Sequence, residues 1–144
     1  MSVIKKDVPG SNELLMGNEA IARGALEAGV QFAAAYPGNP SSEIIGSLAR
    51  VAQDMGIYVE WSVNEKVAVE AAASASFAGL RAITAMKQNG VNVASDFIFN
   101  LNLSGVGLDV LYDLSAHLPD GARTIVDACR VLVHVHRLDR DVIE

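Results

Sequence analysis

One acidic side chain, Glu65, lies at the boundary between a predicted strand and a predicted helix. Residues Tyr58–Val63 alternate β-branched and aromatic side chains with polar ones, a pattern typical of a strand. Asn64 then offers an N-cap, and Glu65 falls in the first turn of the helix that follows. In an open parallel sheet, ligands bind at the edge formed by the carboxyl ends of the strands. Glu65 is therefore a candidate for acid–base chemistry, although a glutamate in a first helical turn often only complements the helix dipole.

A second polar turn follows another predicted strand. The run Val30–Tyr36 is mostly apolar, as expected of a strand that is buried on both faces. It leads into a turn at Pro37–Gly38, after which Asn39 is expected to cap a helix and Pro40 to take the first helical position. Gly56 is expected to end that helix. Its inward-facing positions are predicted to be Ile44, Ile45, Leu48, Val51, Ala52 and Met55.

A third polar segment, Lys87–Gly90, is predicted to form a turn after the short strand Ala82–Met86. The pattern then becomes helical again, with apolar positions at Val93, Phe97, Leu101 and Leu103. The Lys87 side chain could bind an anion or could simply be solvated, and its spacing does not decide between the two. If the strands are parallel, the three polar turns lie along one edge of the sheet.

The alternation of elements predicts the fold class. A first helix is expected to be capped by Asn18, with Glu19 in its first turn, and to end at Gly29. The order is then helix, strand, helix, strand, helix, strand, helix. This order is typical of an α/β domain with three layers, a central and mainly parallel sheet with helices on both faces. The helix after Glu65 is rich in Ala and Ser, which lets its backbone approach a sheet closely.

Composition excludes several classes of protein. The chain has 144 residues, 51% of them hydrophobic and 19% charged, which indicates one globular domain with a sizeable core. Its net charge of -6 argues against a nucleic-acid surface. Cys129 is the single cysteine, so the chain alone makes neither an internal disulfide nor a cysteine-ligated metal site. The sequence has neither a signal-peptide pattern nor an apolar run long enough to span a membrane, and a reducing, cytoplasmic setting is expected.

The last forty residues carry weaker signals. A fourth strand is predicted over Leu108–Tyr112, and Pro119–Gly121 is predicted to be a turn. A helix over residues 122–132 and a strand over residues 131–135 are further candidates. His134 and His136 share one face of that last strand, but no convincing third metal ligand stands nearby. The glycines of Gly105–Gly107 are only a partial nucleotide-binding fingerprint, since the third glycine is missing.

Four short motifs occur together and in order, and they are Gly17–Ala20, Tyr36–Ile44, Glu60–Lys66 and Met86–Lys87. The set closely resembles the N-terminal pyrimidine-binding domain of the 2-oxoacid:ferredoxin oxidoreductases, and within that family the α subunits that oxidise indolepyruvate. The resemblance covers about residues 14–105. It implies the thiamine-diphosphate-binding fold in its pyrimidine-domain form.

The resemblance implies specific roles for the residues of the three turns. In this family, a glutamate at the position of Glu65 hydrogen-bonds the aminopyrimidine ring of thiamine diphosphate and favours its imino tautomer, whose nitrogen takes the proton from the thiazolium carbon. Glu65 is thus implied to be catalytic. The residues implied to bind the cofactor are Glu65, Tyr36, Pro37 and Asn64, and those implied on the substrate side are Asn39, Pro40, Lys87 and Gln88.

Two of these positions depart from the family pattern. Asn39 stands where the family usually has threonine, and Gln88 stands where related chains often have histidine. An asparagine can still donate and accept a hydrogen bond, whereas a glutamine cannot exchange protons as histidine does. Any acid–base role at the position of Gln88 is therefore lost.

The resemblance also implies partners. The family holds the diphosphate group and its Mg²⁺ with a Gly-Asp-Gly motif on a separate domain, and its iron–sulfur clusters with a Cys-rich segment, and this sequence contains neither. We therefore expect no metal ligands in this chain. Mg²⁺, the iron–sulfur clusters and the contact with ferredoxin are expected on partner domains, within a homo- or hetero-oligomer. Residues 1–12 are expected to be a polar lead-in, residues 13–105 the pyrimidine-binding-like domain, and residues 106–144 a tail that could complete the sheet.

Three functions follow as hypotheses. The first is the pyrimidine-binding half of a thiamine-diphosphate-dependent arylpyruvate oxidoreductase, which is inactive until a diphosphate-binding domain joins it. The second is a degenerate homologue that keeps the fold and acts as a non-catalytic interaction module. The third is an unrelated α/β ligand-binding domain, which only the partial fingerprint at Gly105–Gly107 supports.

Overall fold

The computed structural model describes residues 2–104 and 110–115. The helices are a short 3₁₀ turn (Val3–Lys5), α1 (Gly17–Glu27), α2 (Ser42–Ala49), α3 (Ala52–Met55), α4 (Glu65–Phe77) and α5 (Gln88–Ser104). The strands are β1 (Phe32–Ala35), β2 (Tyr58–Trp61), β3 (Ala82–Lys87) and β4 (Val110–Ser115). Helices and strands alternate in the predicted order.

The four strands of the described chain form one parallel sheet in the order β2-β1-β3-β4. Ala35, the last residue of β1, pairs with Trp61 of β2 on one side and with Ala85 of β3 on the other. The carboxyl ends of these strands therefore share one edge. The chain leaves β1 toward β2 and returns on the other side of β1 as β3, so β1 and β3 flank a topological switch point, where open α/β sheets bind ligands.

Helices cover both faces of the sheet, which confirms the predicted three-layer α/β class. Alternate residues of the central strands face opposite layers. On one face, α1 and α2 pack over β1 and β3 through a cluster that includes Ala33, Ala35, Ile44, Ile45, Leu48 and Ile83. On the other face, α4 and α5 form a second cluster with Val69, Ala73, Met86, Ala94 and Leu101. The alanines of β1 suit a strand that is covered on both sides.

The small side chains of α4 pack against the sheet, as the sequence predicts. Ala68, Ala72 and Ala73 have no exposed surface, and α4 contacts both β1 and β3. Because an alanine side chain projects little beyond the backbone, the whole helix can lie close to the strands. The consequence for the site is that the first turn of α4 is held near the edge where β1 and β3 end.

Two expected boundaries are wrong, and two apolar residues expected on inward faces are exposed. Residues 87–90 are not a turn, because β3 extends through Lys87 and α5 begins at Gln88 without a connection. The helix expected to run from Pro40 to Gly56 is split into α2 and α3 around Val51, whose φ of -115° and ψ of -1° interrupt it. The split turns Met55 outward, to 44% exposure. Val93 on α5 is also exposed, since the buried position beside it is Ala94.

The stretch interpreted as a polar lead-in contributes to the core. Ile4, in the 3₁₀ turn, is buried against the α1 and α2 layer.

The fourth strand exists, but β4 starts at Val110, two residues later than predicted, and pairs with β3 through Ser115. The other candidates of the last forty residues lie outside the described part, including Gly105–Gly107, the turn at Pro119–Gly121, Cys129 and the two histidines. No helix of the described residues is long and apolar enough to cross a membrane.

An exposed ion pair joins the first turn of α4 to the middle of α5. Lys66 donates to Asp96, with Nζ 2.6 Å from Oδ2. The hydrogen bond from Lys66 lowers the pKa of Asp96, helped by the Phe97 backbone N–H, and the same bond raises the pKa of Lys66. A lowered carboxyl pKa stabilises the fold above the unfolded carboxyl pKa, and this contribution is lost as the pH falls through the folded value. The raised Lys66 pKa acts oppositely, since its contribution is lost as the pH rises through the folded value.

We therefore expect Asp96→Asn to lower the unfolding midpoint slightly at neutral pH, and the difference from the wild type to disappear in acid. The effect is small because both groups are exposed and salt screens them. Thermal unfolding measured across the acidic range, in low and high salt, checks this. A difference that persists unchanged after the carboxyl is protonated would contradict the assignment to the ion pair.

Candidate functional site

The three polar segments of the sequence do meet at the carboxyl edge of the sheet. One follows β1, one follows β2, and Lys87 ends β3. The Lys87 side chain lies across Gly38, because a β-carbon built on Gly38 would stand only 3.2 Å from Lys87 Cδ. The loop after β1 and the end of β3 are therefore in direct contact at the switch point.

Local capping fixes the start of α4, as predicted. Asn64 is the N-cap, and its Oδ1 accepts a hydrogen bond from the Val67 backbone N–H at 2.9 Å. Glu65 is the first helical residue. With the helix starting at this residue, the Glu65 side chain lies in the interior and is only 6% exposed.

The buried Glu65 side chain lies against Gly90, in the first turn of α5. A β-carbon built on Gly90 would stand 2.6 Å from Cγ and 2.8 Å from Oε1 of Glu65. The N-terminal turns of two helices thus flank one carboxylate, and the partial positive charge of a helix N-terminus complements a carboxylate. No local sequence pattern predicts this contact, since the pattern around Gly90 indicates a polar turn.

The Glu65 carboxylate makes no hydrogen bond or ion pair within the part of the chain that the structure describes. Buried charged groups in folded proteins are normally paired, because leaving them without a partner is costly. A buried carboxylate at a ligand-binding edge is thus available to a hydrogen-bond donor that comes from outside the described chain.

Several hydrogen bonds within the loop after β1 hold its conformation. The Gly38 carbonyl accepts hydrogen bonds from the Ser41 and Ser42 backbone N–H groups, both at 3.1 Å. Ser42 Oγ accepts from the Gly38 N–H at 2.7 Å. The Asn39–Pro40 peptide bond within this turn is cis. The prediction that Asn39 caps the helix and Pro40 begins it is therefore wrong, because both residues belong to the turn and α2 begins at Ser42.

Asn18 has a different role from the one expected. It does not cap α1, which begins one residue earlier, at Gly17. Its Nδ2 instead donates to the Pro40 carbonyl at 2.6 Å and to Glu43 Oε2 at 3.2 Å. Asn18 thus ties the first turn of α1 to the loop after β1, across more than twenty residues of sequence.

Because of this tie, we expect Asn18→Ala to loosen the loop without unfolding the domain. Two hydrogen bonds at an exposed site are lost, at a cost of about 1–2 kcal/mol in unfolding free energy. Amide hydrogen exchange should rise at Ser41 and Ser42 and remain unchanged on β3. Uniform acceleration over the whole sheet would show that Asn18 acts on global stability instead.

The other predicted site residues lie at the same edge of the sheet, where β1, β2 and β3 end. Lys87 is half-buried, and Asn64 is partly buried at the cap. None of the predicted residues hydrogen-bonds to Glu65 within the described chain. The remaining ones are exposed, and they are Tyr36, Pro37, Asn39, Pro40 and Gln88. Their side chains are thus open to a ligand or to another protein surface at this edge.

A match to a family model shows the family to which the chain belongs. Residues 23–103 match the model described as pyruvate flavodoxin/ferredoxin oxidoreductase, thiamine diphosphate-binding. This range includes α4, β3 and the loop after β1. The chain belongs to this family of thiamine-diphosphate-binding domains. The family resemblance predicted from the four motifs is confirmed.

Curated relatives in this family are much longer than the chain. It is 54% identical over 104 residues to the indolepyruvate oxidoreductase subunit IorA of Pyrococcus horikoshii, and 54% identical over 108 residues to that of Thermococcus kodakarensis. These matches cover 72% and 75% of the chain. The chain spans about 16% of the length of each of these relatives. The 2-oxoglutarate synthase subunit KorA of Methanocaldococcus jannaschii is 37% identical over 60% of the chain and 24% of its own length.

A solved structure shares the fold of this family member. The 2-oxoglutarate:ferredoxin oxidoreductase from Magnetococcus marinus, with 2-oxoglutarate, coenzyme A and succinyl-CoA bound, superposes with a TM-score of 0.66. The match covers 71% of this chain and 18% of that one, at 23% identity. The likeness supports the parallel three-layer arrangement.

Proposed function

We propose that the chain is the pyrimidine-binding part of a thiamine-diphosphate-dependent 2-oxoacid oxidoreductase that acts on an arylpyruvate such as indolepyruvate. The observation that carries the proposal is the Glu65 carboxylate, which is 6% exposed and lacks a partner among the described residues, at the ligand-binding edge of the sheet. In the proposed enzyme, Glu65 shares a proton with a ring nitrogen of the aminopyrimidine: the carboxyl group donates to the neutral ring, and the carboxylate accepts from the protonated ring. The proposal includes a cytoplasmic location.

The residues at the edge fit the aminopyrimidine of thiamine diphosphate. A planar heterocycle that needs a carboxylate partner would find one at Glu65, and Gly90 leaves the space in which that side chain lies. When bound, the cofactor supplies a nucleophilic thiazolium carbon that adds to the keto carbon of a 2-oxoacid and lets carbon dioxide leave. Glu65 holds and moves the proton at the ring nitrogen, and its burial excludes water from that exchange.

The roles proposed for the other residues come from the family resemblance, and their position at the carboxyl edge of the sheet supports them. Tyr36, Pro37 and Asn64 are proposed on the cofactor side, where Asn64 also fixes the start of α4. Asn39, Pro40, Lys87 and Gln88 are proposed on the substrate side. The Lys87 ammonium has no ion-pair partner in the described chain and suits the carboxylate that every 2-oxoacid carries.

The site requires a partner in this proposal. A diphosphate-binding domain, with Mg²⁺, would close the edge, and iron–sulfur clusters on partner domains would pass two electrons to ferredoxin while coenzyme A takes the acyl group. Exposed apolar side chains near this edge support such a partner. They are Tyr36, Trp61, Val63 and Val67, and Val63 is 79% exposed.

A calorimetric titration tests the proposal. Thiamine diphosphate with Mg²⁺ is titrated into the full chain alone and into an assembled complex. That complex contains the full chain, the Thermococcus kodakarensis subunit from which the matching 108-residue segment has been removed, and the remaining subunits of that enzyme. The same truncated subunit mixed with its own excised segment shows that the partner is competent.

Binding only in the assembled complex is the expected result. No binding with this chain, beside clear binding with the relative's own segment, would contradict the proposal and would favour the non-catalytic interaction module. The exposed Asn39 and Gln88, which replace the family's usual threonine and histidine, favour that second candidate.

A further inference from the structure

Gly90 is distinguished from the other helical glycines by what surrounds it. A β-carbon built there would lie 2.6 Å from Cγ, 2.8 Å from Oε1 and 3.0 Å from Cδ of Glu65. Real β-carbons essentially never approach a neighbour so closely. Gly24 in α1 and Gly46 in α2, by contrast, have no atom within 4 Å of the corresponding position.

The backbone of α5 does not require glycine at this position. The glycines with positive φ in the described chain are Gly10, Gly29, Gly56 and Gly79, and Gly90 is not one of them. An alanine could adopt the same backbone conformation, and glycine within a helix is less stable than alanine. The remaining reason for glycine is the space that its missing β-carbon leaves for the Glu65 side chain.

That space controls the position of the carboxylate. The closest approach involves Cγ, a methylene carbon in the middle of the Glu65 side chain and not its flexible end. A β-carbon at position 90 would therefore force Glu65 into another rotamer and would carry both carboxylate oxygens away from their present place. The N-cap at Asn64 holds the backbone of α4, so the helix itself cannot easily turn to follow.

We propose that Gly90 is a positioning residue for Glu65: it seats the Glu65 carboxylate where the aminopyrimidine is to be bound. The part of this proposal that concerns the cofactor rests on the proposed function. The steric part concerns only the two residues and stands by itself. The two parts are therefore tested separately.

A double-mutant cycle on the full chain tests the steric part without any cofactor. The variants are Gly90→Ala, Glu65→Ala and the two combined, and the measurement is the midpoint of thermal unfolding. We expect Gly90→Ala to lower the midpoint when Glu65 is present and not to lower it in the Glu65→Ala background. Residues in contact are coupled in this way, whereas distant ones act additively.

Gly24→Ala is the matched control, since it adds the same methyl group to a helix with free space around it. It should change the midpoint equally with and without Glu65. An equal effect of Gly90→Ala in both backgrounds would overturn the proposal. If Gly90→Ala alone does not fold, recovery of folding in the combined variant supports the proposal, and failure to recover overturns it.

The cofactor part is tested in the assembled complex defined above. Gly90→Ala should weaken the binding of thiamine diphosphate with Mg²⁺ by about tenfold or more, since a hydrogen bond to a charged group is lost. The near-ultraviolet circular-dichroism band of the imino tautomer should disappear as well. Gly24→Ala should change neither measurement.

The outcomes separate the two proposals. If the wild-type complex binds no cofactor, the proposed function fails. The double-mutant cycle measured by thermal unfolding still shows whether Gly90 positions Glu65. If the cycle shows coupling but Gly90→Ala binds the cofactor with unchanged affinity and an unchanged imino band, the positioning role of Gly90 is overturned.

Discussion

Replacing Glu65 with glutamine is expected to lower kcat for an arylpyruvate in the assembled complex by about 100- to 10,000-fold, the range typical for the loss of a general acid–base group. The amide has the same shape as the carboxyl and fits the same buried space against Gly90. It cannot, however, exchange a proton with the ring nitrogen of the cofactor. The folding stability should not fall, because the amide removes a buried charge and the Glu65 carboxylate has no hydrogen bond or ion pair within the described chain to lose.

Glu70→Gln provides a matched control for this experiment. Glu70 lies on the same helix, is partly exposed and stands away from the edge of the sheet. The control makes the same chemical change and removes the same charge, so general electrostatic effects should appear in both variants. Turnover of the Glu65→Gln complex within a factor of about three of the Glu70→Gln complex, a difference of less than 1 kcal/mol in transition-state stabilisation, would contradict a catalytic role for Glu65.

The second large effect concerns the core beneath the loop after β1. Leu48 on α2 has no exposed surface and packs in the cluster between α1, α2 and the sheet. Leu48→Ala is expected to reduce the free energy of unfolding by about 2–5 kcal/mol, because buried contacts are lost and a cavity remains. Since a domain of this kind is stable by about 5–15 kcal/mol in total, a substantial part of its stability would be lost.

Leu14→Ala is the matched control, because Leu14 is 98% exposed. Denaturant unfolding of both variants measures the two free energies, and the control should stay within about 0.5 kcal/mol of the wild type. Equal losses at the two positions would show that α2 does not pack as the structure has it. Loss of stability at Leu48 should also loosen the Gly38–Ser42 turn, which leads directly into α2.

The parts of the site that depend on neighbours in sequence could be predicted. The cap at Asn64 and the place of Glu65 depend on a few consecutive residues, and a polar side chain after a strand is a strong local signal. The parallel sheet follows from the alternation of strands and helices, because that order leaves few topologies. Because parallel strands end at the same edge of the sheet, the position of the three polar segments at one edge could be predicted as well.

The parts that depend on distant residues could not be predicted. Asn18 has the right residue type for a cap, but its amide reaches the Pro40 carbonyl, more than twenty residues away, and that acceptor is not visible in the local pattern. Asn39 and Pro40 likewise have the right residue types to begin a helix, but they belong to the turn that Gly38 closes, and α2 begins at Ser42. Gly90 resembled an ordinary turn glycine, since only the packing of α4 against α5 shows that Glu65 occupies the space above it.

The proposed function requires the Glu65 carboxylate to contact the aminopyrimidine of thiamine diphosphate. Nitrogen NMR of the assembled complex, with the ring nitrogens of the cofactor labelled with ¹⁵N, observes that contact directly. We expect the resonance of one ring nitrogen of the bound cofactor to shift toward that of the protonated, hydrogen-bonded form, and this shift to be lost with Glu65→Gln. Bound cofactor with the same nitrogen resonances in the wild type and in Glu65→Gln would contradict it.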